Sequence, residues 1–358
     1  MTEHARFEIA GRLVAAGEPL YVVAEIGLNH DGSVDRAFEL VDAAAAAGAD
    51  AVKLQSLRGR TLVAPVRARL AHVADSSLRE LFARYELDEA AHRAVAARAR
   101  SHGLAFLSTP FDEDAVDMLD RLDCDALKIA SGDLTHHRLI ARAAATGRPL
   151  VISTGLSRLD EVTEAVACAR AAGASAIALL HCVSAYPVPD DQQNLGAIRT
   201  LAETFRVPVG LSDHSRQARD IAVAVALGAA IYERHVKPAP DAAVLDADVS
   251  SDPAALAVLV RDARRTRAVL GSGERVPMPA EAPNHEGSRR ALYARRSLAP
   301  GDVVCAEDVV ALRPAAGLDA RRFDALVGTT LRRAVEADAP FLDSDVSDRG
   351  KGDARGAA

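Results

Sequence analysis

The chain has 358 residues, 49% of them apolar and 26% charged, with a net charge of −7. That is enough apolar material for one large domain and a small one, and it excludes a disordered chain. The acidic balance and the 4% aromatic content speak against a nucleic-acid surface, and no apolar run approaches the ~20 residues that span a bilayer. The N-terminus, MTEHARFEIAGR, has no basic-then-apolar leader, so a cytoplasmic protein is expected, with no membrane partner. Cys124, Cys168, Cys182 and Cys305 form no CxxC pair, which points to reduced, mostly core thiols rather than a disulfide frame or zinc knuckle.

In chain order, residues 7–19 alternate in polarity around glycines and predict a short hairpin, placed to plug the bottom of a barrel. Strand-like runs follow at 20–26, 50–55, 104–108, 125–130, 149–153, 175–181, 207–212 and 229–235. Segments of helical periodicity lie between and after them, at 35–48, 88–102, 112–122, 135–147, 158–172, 215–227 and 252–269. Gly-Ala or Gly-Leu stops at Gly48, Gly103, Gly173 and Gly228 end four of the helices. Eight such units over roughly 250 residues fit a (β/α)8 TIM barrel within the α/β class. The competing open, doubly wound sheet would carry a glycine-rich loop after its first strand, and none is present.

The long stretch 56–87 reads as a lid-type loop on the strand C-terminal face. Residues 271–287 are rich in Pro, Gly and Glu and read as a linker between a barrel over 1–270 and a small β-rich domain over 288–347. The tail, 348–358, is expected to be disordered.

Barrel chemistry sits at the C-terminal ends of the strands. Those ends hold Glu25; Lys53 and Gln55; Ser108 and Thr109; Lys128 and Ser131; Ser153 and Thr154; His181, Ser184 and Tyr186; Ser212, Asp213 and His214; and His235. Lys53 and Lys128 stand inside apolar strands, where an ammonium must be paired or functional. A structural ion pair, an anion clamp and a Schiff-base nucleophile are the three readings, and the accompanying Ser131, Ser153 and Ser212 favour the clamp. His214 and His235 close adjacent strands and so suit one shared metal ion. Water and substrate oxygens completing the shell would favour Mn²⁺, Mg²⁺, Co²⁺ or Fe²⁺ over a closed zinc site. Asn29, His30 and His181 are read as side chains that orient a neighbour, and Cys182 as core.

The segments EIGLNHDG, ADAVKLQ, LSTPFD, LKIASGDL, ISTG, LLHCVSAYPVP, GLSDHS and GAAIYERH occur in that order. Together they resemble the sialic acid synthase (N-acetylneuraminate synthase, NeuB-like) family over residues 7–345. RRSLAPGDVVCAEDVVALRPAAGL resembles that family's C-terminal antifreeze-like SAF domain, a β-clip fold. The resemblance implies condensation of phosphoenolpyruvate with an N-acylated aldose, such as N-acetylmannosamine or a 2,4-diacetamido hexose, to a nonulosonic 2-keto acid and phosphate. It implies a divalent metal, Mn²⁺ foremost with Mg²⁺ or Co²⁺ as alternatives, on His214 and His235. It maps the phosphoenolpyruvate clamp to Lys53, Lys128, Ser131, Ser153, Ser184 and Ser212, and the sugar contacts to Gln55, Asp133, Tyr186 and Asp246. It also implies a domain-swapped homodimer in which Arg313 acts in trans. Glu25 is the candidate for handling the proton of the attacking water or of a sugar hydroxyl.

Val236-Lys237, Ala247 and Ala315 depart from the family pattern, and Ser184 stands where some members carry Asn. Lys237 raises the possibility of a phosphorylated or acidic acceptor. Other phosphoenolpyruvate-using 3-deoxy-sugar-acid synthases, a Schiff-base aldolase and a non-catalytic sugar-binding relative are the competing readings.

Overall fold

The computed structural model describes residues 6–65 and 77–347. The expected tail at 348–358 and the centre of the 56–87 stretch lie outside them. The chain divides into two compact units at Ser272/Gly273.

The first unit opens with a hairpin, β1 (Phe7–Ile9) and β2 (Arg12–Val14), paired Phe7↔Val14 and Ile9↔Arg12. Its two turn residues, Ala10 and Gly11, both have positive φ (50° and 76°), the geometry that matches the twist of flanking strands. Eight parallel strands follow: β3 (Tyr21–Glu25), β4 (Ala51–Ser56), β5 (Ala105–Pro110), β6 (Ala126–Ile129), β7 (Leu150–Ser153), β8 (Ile177–Cys182), β9 (Val209–Asp213) and β10 (Ile231–Val236). They pair in sequence order, and β10 pairs with both β9 and β3, closing the barrel. A two-residue strand, β11 (Ser250–Ser251), adds to β10 in the register His235↔Ser250.

The helices are α1 (Val34–Ala47), α2 (Gly59–Leu62), α3 (Leu78–Ala83), α4 (Glu89–Ser101), α5 (Glu113–Arg121), α6 (His137–Ala144), α7 (Leu159–Ala171), α8 (Ala197–Phe205), α9 (Ile221–Ala226) and α10 (Pro253–Leu270). Four begin at an aspartate or serine whose side chain accepts a backbone N–H of the first turn: Ser33, Asp88, Asp112 and Asp252. Two points differ from the sequence reading. Helix α8 lies in a segment not read as helical, and the helix expected over 215–227 shrinks to α9. The start of that segment is instead a turn, in which Ser215 Oγ accepts the N–H of Ala218, whose φ is 47°.

Every barrel strand is buried on both faces, one against helices and one against the barrel axis. The axial core contains Tyr21, Val23, Ala51, Leu107, Val151, Leu180 and Ile231. Ile9 and Val14 of the hairpin join this cluster, so the hairpin plugs the barrel floor as expected. Gly210 occupies an axial position where a side chain has no room. A β-carbon there would overlap the Ile231 carbonyl oxygen and approach Leu180 Cδ2 to 2.7 Å. With the lower axis filled by apolar groups, the polar residues of the same face are left at the C-terminal mouth.

Within 271–287 the chain forms a 3-10 turn at Pro279–Glu281 and enters α11 (Ala282–Ser288). The second unit contains the antiparallel pair β12 (Ala291–Ala294) and β13 (Val309–Leu312), the short α12 (Phe323–Leu326), and a core around Leu292, Leu298, Leu318, Leu331 and Phe341. No helix among the described residues is long and apolar enough to cross a membrane.

Candidate active site

Strand geometry alternates side chains between the two faces. On the axial face, the last positions of the strands are Glu25, Lys53, Thr109, Lys128, Ser153, Cys182, Ser212, Glu233 and His235. All but Glu25 line a cavity of about 580 Å³ at the barrel mouth, in the range of small-molecule sites. The loops add Ser131, Ser184, Tyr186, His214 and Asp246. Leu28, Phe82, Phe111, Leu156 and Leu245 supply apolar lining.

The floor holds four buried charges. Lys53 is ion-paired with Glu25 and donates to Thr109 Oγ1 at 3.1 Å. Glu233 stands between the two lysines, 3.7 Å from Lys53 Nζ and 4.0 Å from Lys128 Nζ. Lys128 donates to Ser153 Oγ (2.5 Å) and to the Ile129 carbonyl (3.0 Å). Burial penalises every one of these charges, and pairing offsets it unevenly. Burial presses on Lys53, but Glu233 and Glu25 together hold its pKa above the ordinary lysine value. Burial is only partly offset at Lys128, which ends below the ordinary value. Burial raises Glu25, whereas the two lysines overcome burial at Glu233 and keep it ionised. Glu233 Oε1 accepts from Ser212 Oγ at 3.1 Å, while its buried Oε2 has no hydrogen-bond partner among the described residues. A buried acceptor of this kind calls for a proton-bearing ligand.

The His214 and His235 rings have centroids 5.4 Å apart at 49°. Nδ1 of His214 faces the Val183 carbonyl at 3.1 Å, which leaves Nε2 for the cavity. Tyr186 stacks on the His214 ring, centroid to centroid 4.1 Å. Asp246 Oδ2 lies 3.4 Å from His235 Nδ1, the carboxylate–imidazole arrangement that commonly orients a metal-binding histidine. Asn29 fixes that loop, donating to Val236 O and Ser250 Oγ (both 2.8 Å) and accepting from the Asp246 N–H (3.2 Å). The two rings stand close enough to share one ion. Among the described residues no group of three or more His, Cys, Asp and Glu is arranged to hold a metal, so water and substrate would supply the remaining ligands.

The NeuB family model matches residues 40–275, and the SAF domain model matches 289–347. The chain belongs to the NeuB family. The N,N'-diacetyllegionaminic acid synthase of Legionella pneumophila is 35% identical over 90% of this chain and 93% of its own length. The enzyme of the same name from Campylobacter jejuni is 32% identical over 88% and 97%. The N-acetylneuraminic acid (sialic acid) synthetase structure from Leptospira borgpetersenii superposes with a TM-score of 0.73, at 30% identity, over 78% of this chain and 95% of that one. As a NeuB-family protein with a SAF domain, this chain is an enzyme of the sialic acid synthase family.

The cavity of this NeuB-family barrel gathers Lys53, Gln55, Lys128, Ser131, Ser153, Ser184, Tyr186, Ser212, His214, His235 and Asp246. Glu25 lies buried behind Lys53 and Gln55, accepting from Gln55 Nε2 at 3.2 Å. Gly27 makes this possible, because a β-carbon there would overlap the Glu25 carboxylate. Asp133 is half-buried on the 3-10 turn Ser131–Asp133 and does not line the cavity. Arg313 is exposed on the second unit, one residue past β13.

Four strand-end residues point away from the axis. Ser108 bonds Ser56 Oγ, Thr154 donates to Leu180 O, His181 pairs with Gln193 O, and Asp213 accepts from Tyr232. Lys237 donates to its own loop at Ala247 O (3.4 Å) and is not among the residues lining the cavity.

Cys182 was expected in the core but lines the cavity, 3.6 Å from His214 Nδ1. Burial opposes its ionisation, yet His214 and Lys128 bring the thiol down to about 7. Cys305 is exposed rather than core. The 56–87 stretch carries α2 and α3, and Phe82 of α3 reaches the cavity. Glu233 and Thr109 complete the floor. Glu233 was missed, although its spacing of two from His235 puts both on one face.

Proposed function

We propose that the chain condenses phosphoenolpyruvate with an N-acylated hexose, giving a nonulosonic 2-keto acid and inorganic phosphate. The observation that supports this most is the pairing of two buried lysines and a ring of hydroxyls with two adjacent histidines in one cavity. In this reading Lys53 and Lys128 hold the phosphate and carboxylate, with Ser131, Ser153 and Ser184 donating to their oxygens, while Ser212 gives its hydroxyl proton to Glu233 Oε1 and fixes that carboxylate beside them. Lys128 serves as a cation in this reading, its ammonium donating to Ser153 and the Ile129 carbonyl with Glu233 4.0 Å away.

His214 and His235 would hold a divalent metal, Mn²⁺ best matching the donor set, and that ion supplies Lewis-acid polarisation of the acceptor aldehyde. Gln55 and Tyr186 face the acceptor, and the apolar lining around Leu28, Phe82, Phe111 and Leu245 suits its acyl groups. The C2=C3 π pair of phosphoenolpyruvate forms the new bond from C3 to the aldehyde carbon, the aldehyde C=O opens to an alkoxide that takes up a proton, and water adds at the cationic C2. Glu233, whose buried Oε2 has no hydrogen-bond partner among the described residues, takes the water's proton. Glu25 holds Lys53 and Gln55 in place. The tetrahedral carbon then expels phosphate by breaking its C–O bond.

The test is phosphate release from phosphoenolpyruvate with Mn²⁺ against a panel of N-acetylated and N,N'-diacetylated hexoses and their 6-phosphates. Release with one non-phosphorylated member, abolished by chelator, is expected. Phosphoenolpyruvate binding without release for any member would remove the synthase reading.

A homodimer in which the exposed Arg313 acts in trans is part of the same proposal, carried by the SAF-domain match. Mixed Arg313→Ala and His214→Ala protomers should then regain activity at one site of each heterodimer. Exchange of protomers without any recovery would count against it.

A further inference from the structure

We propose that Arg234 is the positioning residue that fixes His214 and His235 as a pair, gripping the backbone on both sides of His214 from the position directly before His235. The inference rests on reading that pair as the metal site. Arg234 lies on β10 between Glu233 and His235, so its side chain leaves the barrel on the face opposite the cavity. It is 1% exposed and is the largest fully buried side chain among the described residues.

Its fork serves four acceptors. Nη1 donates to the carbonyls of Asp213 (3.1 Å) and Ser215 (2.6 Å), the residues immediately before and after His214. Nη2 donates to Arg216 O at 3.4 Å, and Nε to Ser251 Oγ at 3.1 Å. The counter-charge is Asp213, with Oδ1 3.6 Å from Nη1. That carboxylate is itself held, by the Ser215 N–H (2.7 Å) on Oδ1 and the Tyr232 hydroxyl (2.5 Å) on Oδ2.

A buried guanidinium is costly unless every donor and its charge are satisfied. Here that cost is offset by contacts concentrated on Asp213, Ser215 and Arg216, which flank one histidine. With the carbonyls on both sides of His214 held, its backbone cannot turn independently. Ser251 brings in β11, whose neighbour Ser250 pairs with His235 itself. One side chain thus sets the backbone of both imidazoles while touching neither the cavity nor its ligands. A lysine could keep the charge beside Asp213 but could not serve four acceptors from one planar fork.

The experiment measures Mn²⁺ binding by the electron paramagnetic resonance signal of the free ion, together with inorganic phosphate binding in chelator, for full-length Arg234→Lys. Mn²⁺ affinity should fall about 10- to 100-fold, while phosphate affinity stays within about twofold, because Lys53 and Lys128 stand on other strands. Unchanged Mn²⁺ affinity in a folded variant overturns the proposal, and so does a parallel loss of phosphate binding, which would mean a general disturbance of the barrel. Should Arg234→Lys fail to fold, Ser251→Ala decides. It removes only the Nε acceptor, and a loss of about threefold or more in Mn²⁺ affinity supports the role, whereas no loss contradicts it. If wild-type Mn²⁺ binding is indifferent to His235→Ala, the metal-site reading itself fails and takes the role of Arg234 with it.

Discussion

Lys128→Met should weaken inorganic phosphate and phosphoenolpyruvate binding by about 100-fold while leaving the barrel folded. Methionine fills the volume of the lysine stem, so the change removes mainly the ammonium. That ammonium is buried, donates to Ser153 and the Ile129 carbonyl, and lies 4.0 Å from Glu233. Truncating one partner of a buried, hydrogen-bonded charge pair costs about 2–5 kcal/mol of binding, and about 2.7 kcal/mol corresponds to the 100-fold loss. Calorimetric titration of phosphate into the metal-free variant, with circular dichroism as the folding check, measures it. A change of less than about threefold would place the anion site away from Lys128.

Glu233→Gln should act in two opposed directions. The floor of the free enzyme balances Lys53 and Lys128 against Glu25 and Glu233. Glutamine keeps the acceptor for Ser212 Oγ but removes a negative charge within 4.0 Å of both ammoniums. Each such contact is worth about 4 kcal/mol at the effective dielectric of partly screened sites. Leaving one buried lysine uncompensated costs about 3 kcal/mol of folding free energy, so the ligand-free variant should melt at a lower temperature. An incoming anion then replaces the missing charge. Phosphate should bind about tenfold tighter than to wild type and recover most of the lost melting temperature, in line with the linkage of binding to stability. Turnover should fall by about 100-fold or more, because the proton acceptor is gone. Phosphate affinity equal to or weaker than wild type would show that Glu233 is not the internal counter-ion.

The pattern of eight strands was legible because apolar runs, helix stops and glycines recur along the chain. The hairpin plug was legible from the alternation of residues 7–14. What the sequence hides is the face each strand-end residue takes. A barrel strand is buried on both sides, so Ile177–Cys182 shows no polar–apolar alternation to orient it. His181 draws notice by its chemistry yet faces Gln193, while Cys182 beside it faces the cavity. The same ambiguity made Ser108 and Asp213 look like mouth residues. It hid Glu233, which sits one turn of the pleat below His235 and could have been found by counting back two. Arg234 was hidden for a different reason. Three of its partners are the backbone carbonyls of Asp213, Ser215 and Arg216, which no side-chain pattern announces.

The most direct test of the proposed reaction is the fate of ¹⁸O placed in the oxygen that bridges C2 and phosphorus in phosphoenolpyruvate. The proposed course expels phosphate from a tetrahedral C2 carbon bearing a newly added water oxygen, so the bridging oxygen leaves with phosphorus. The isotope shift of the phosphate ³¹P resonance, read after turnover with the active hexose, should report label in the released phosphate. Unlabelled phosphate would mean that the P–O bond breaks instead, and would contradict the addition of water at C2 and the role assigned to Glu233.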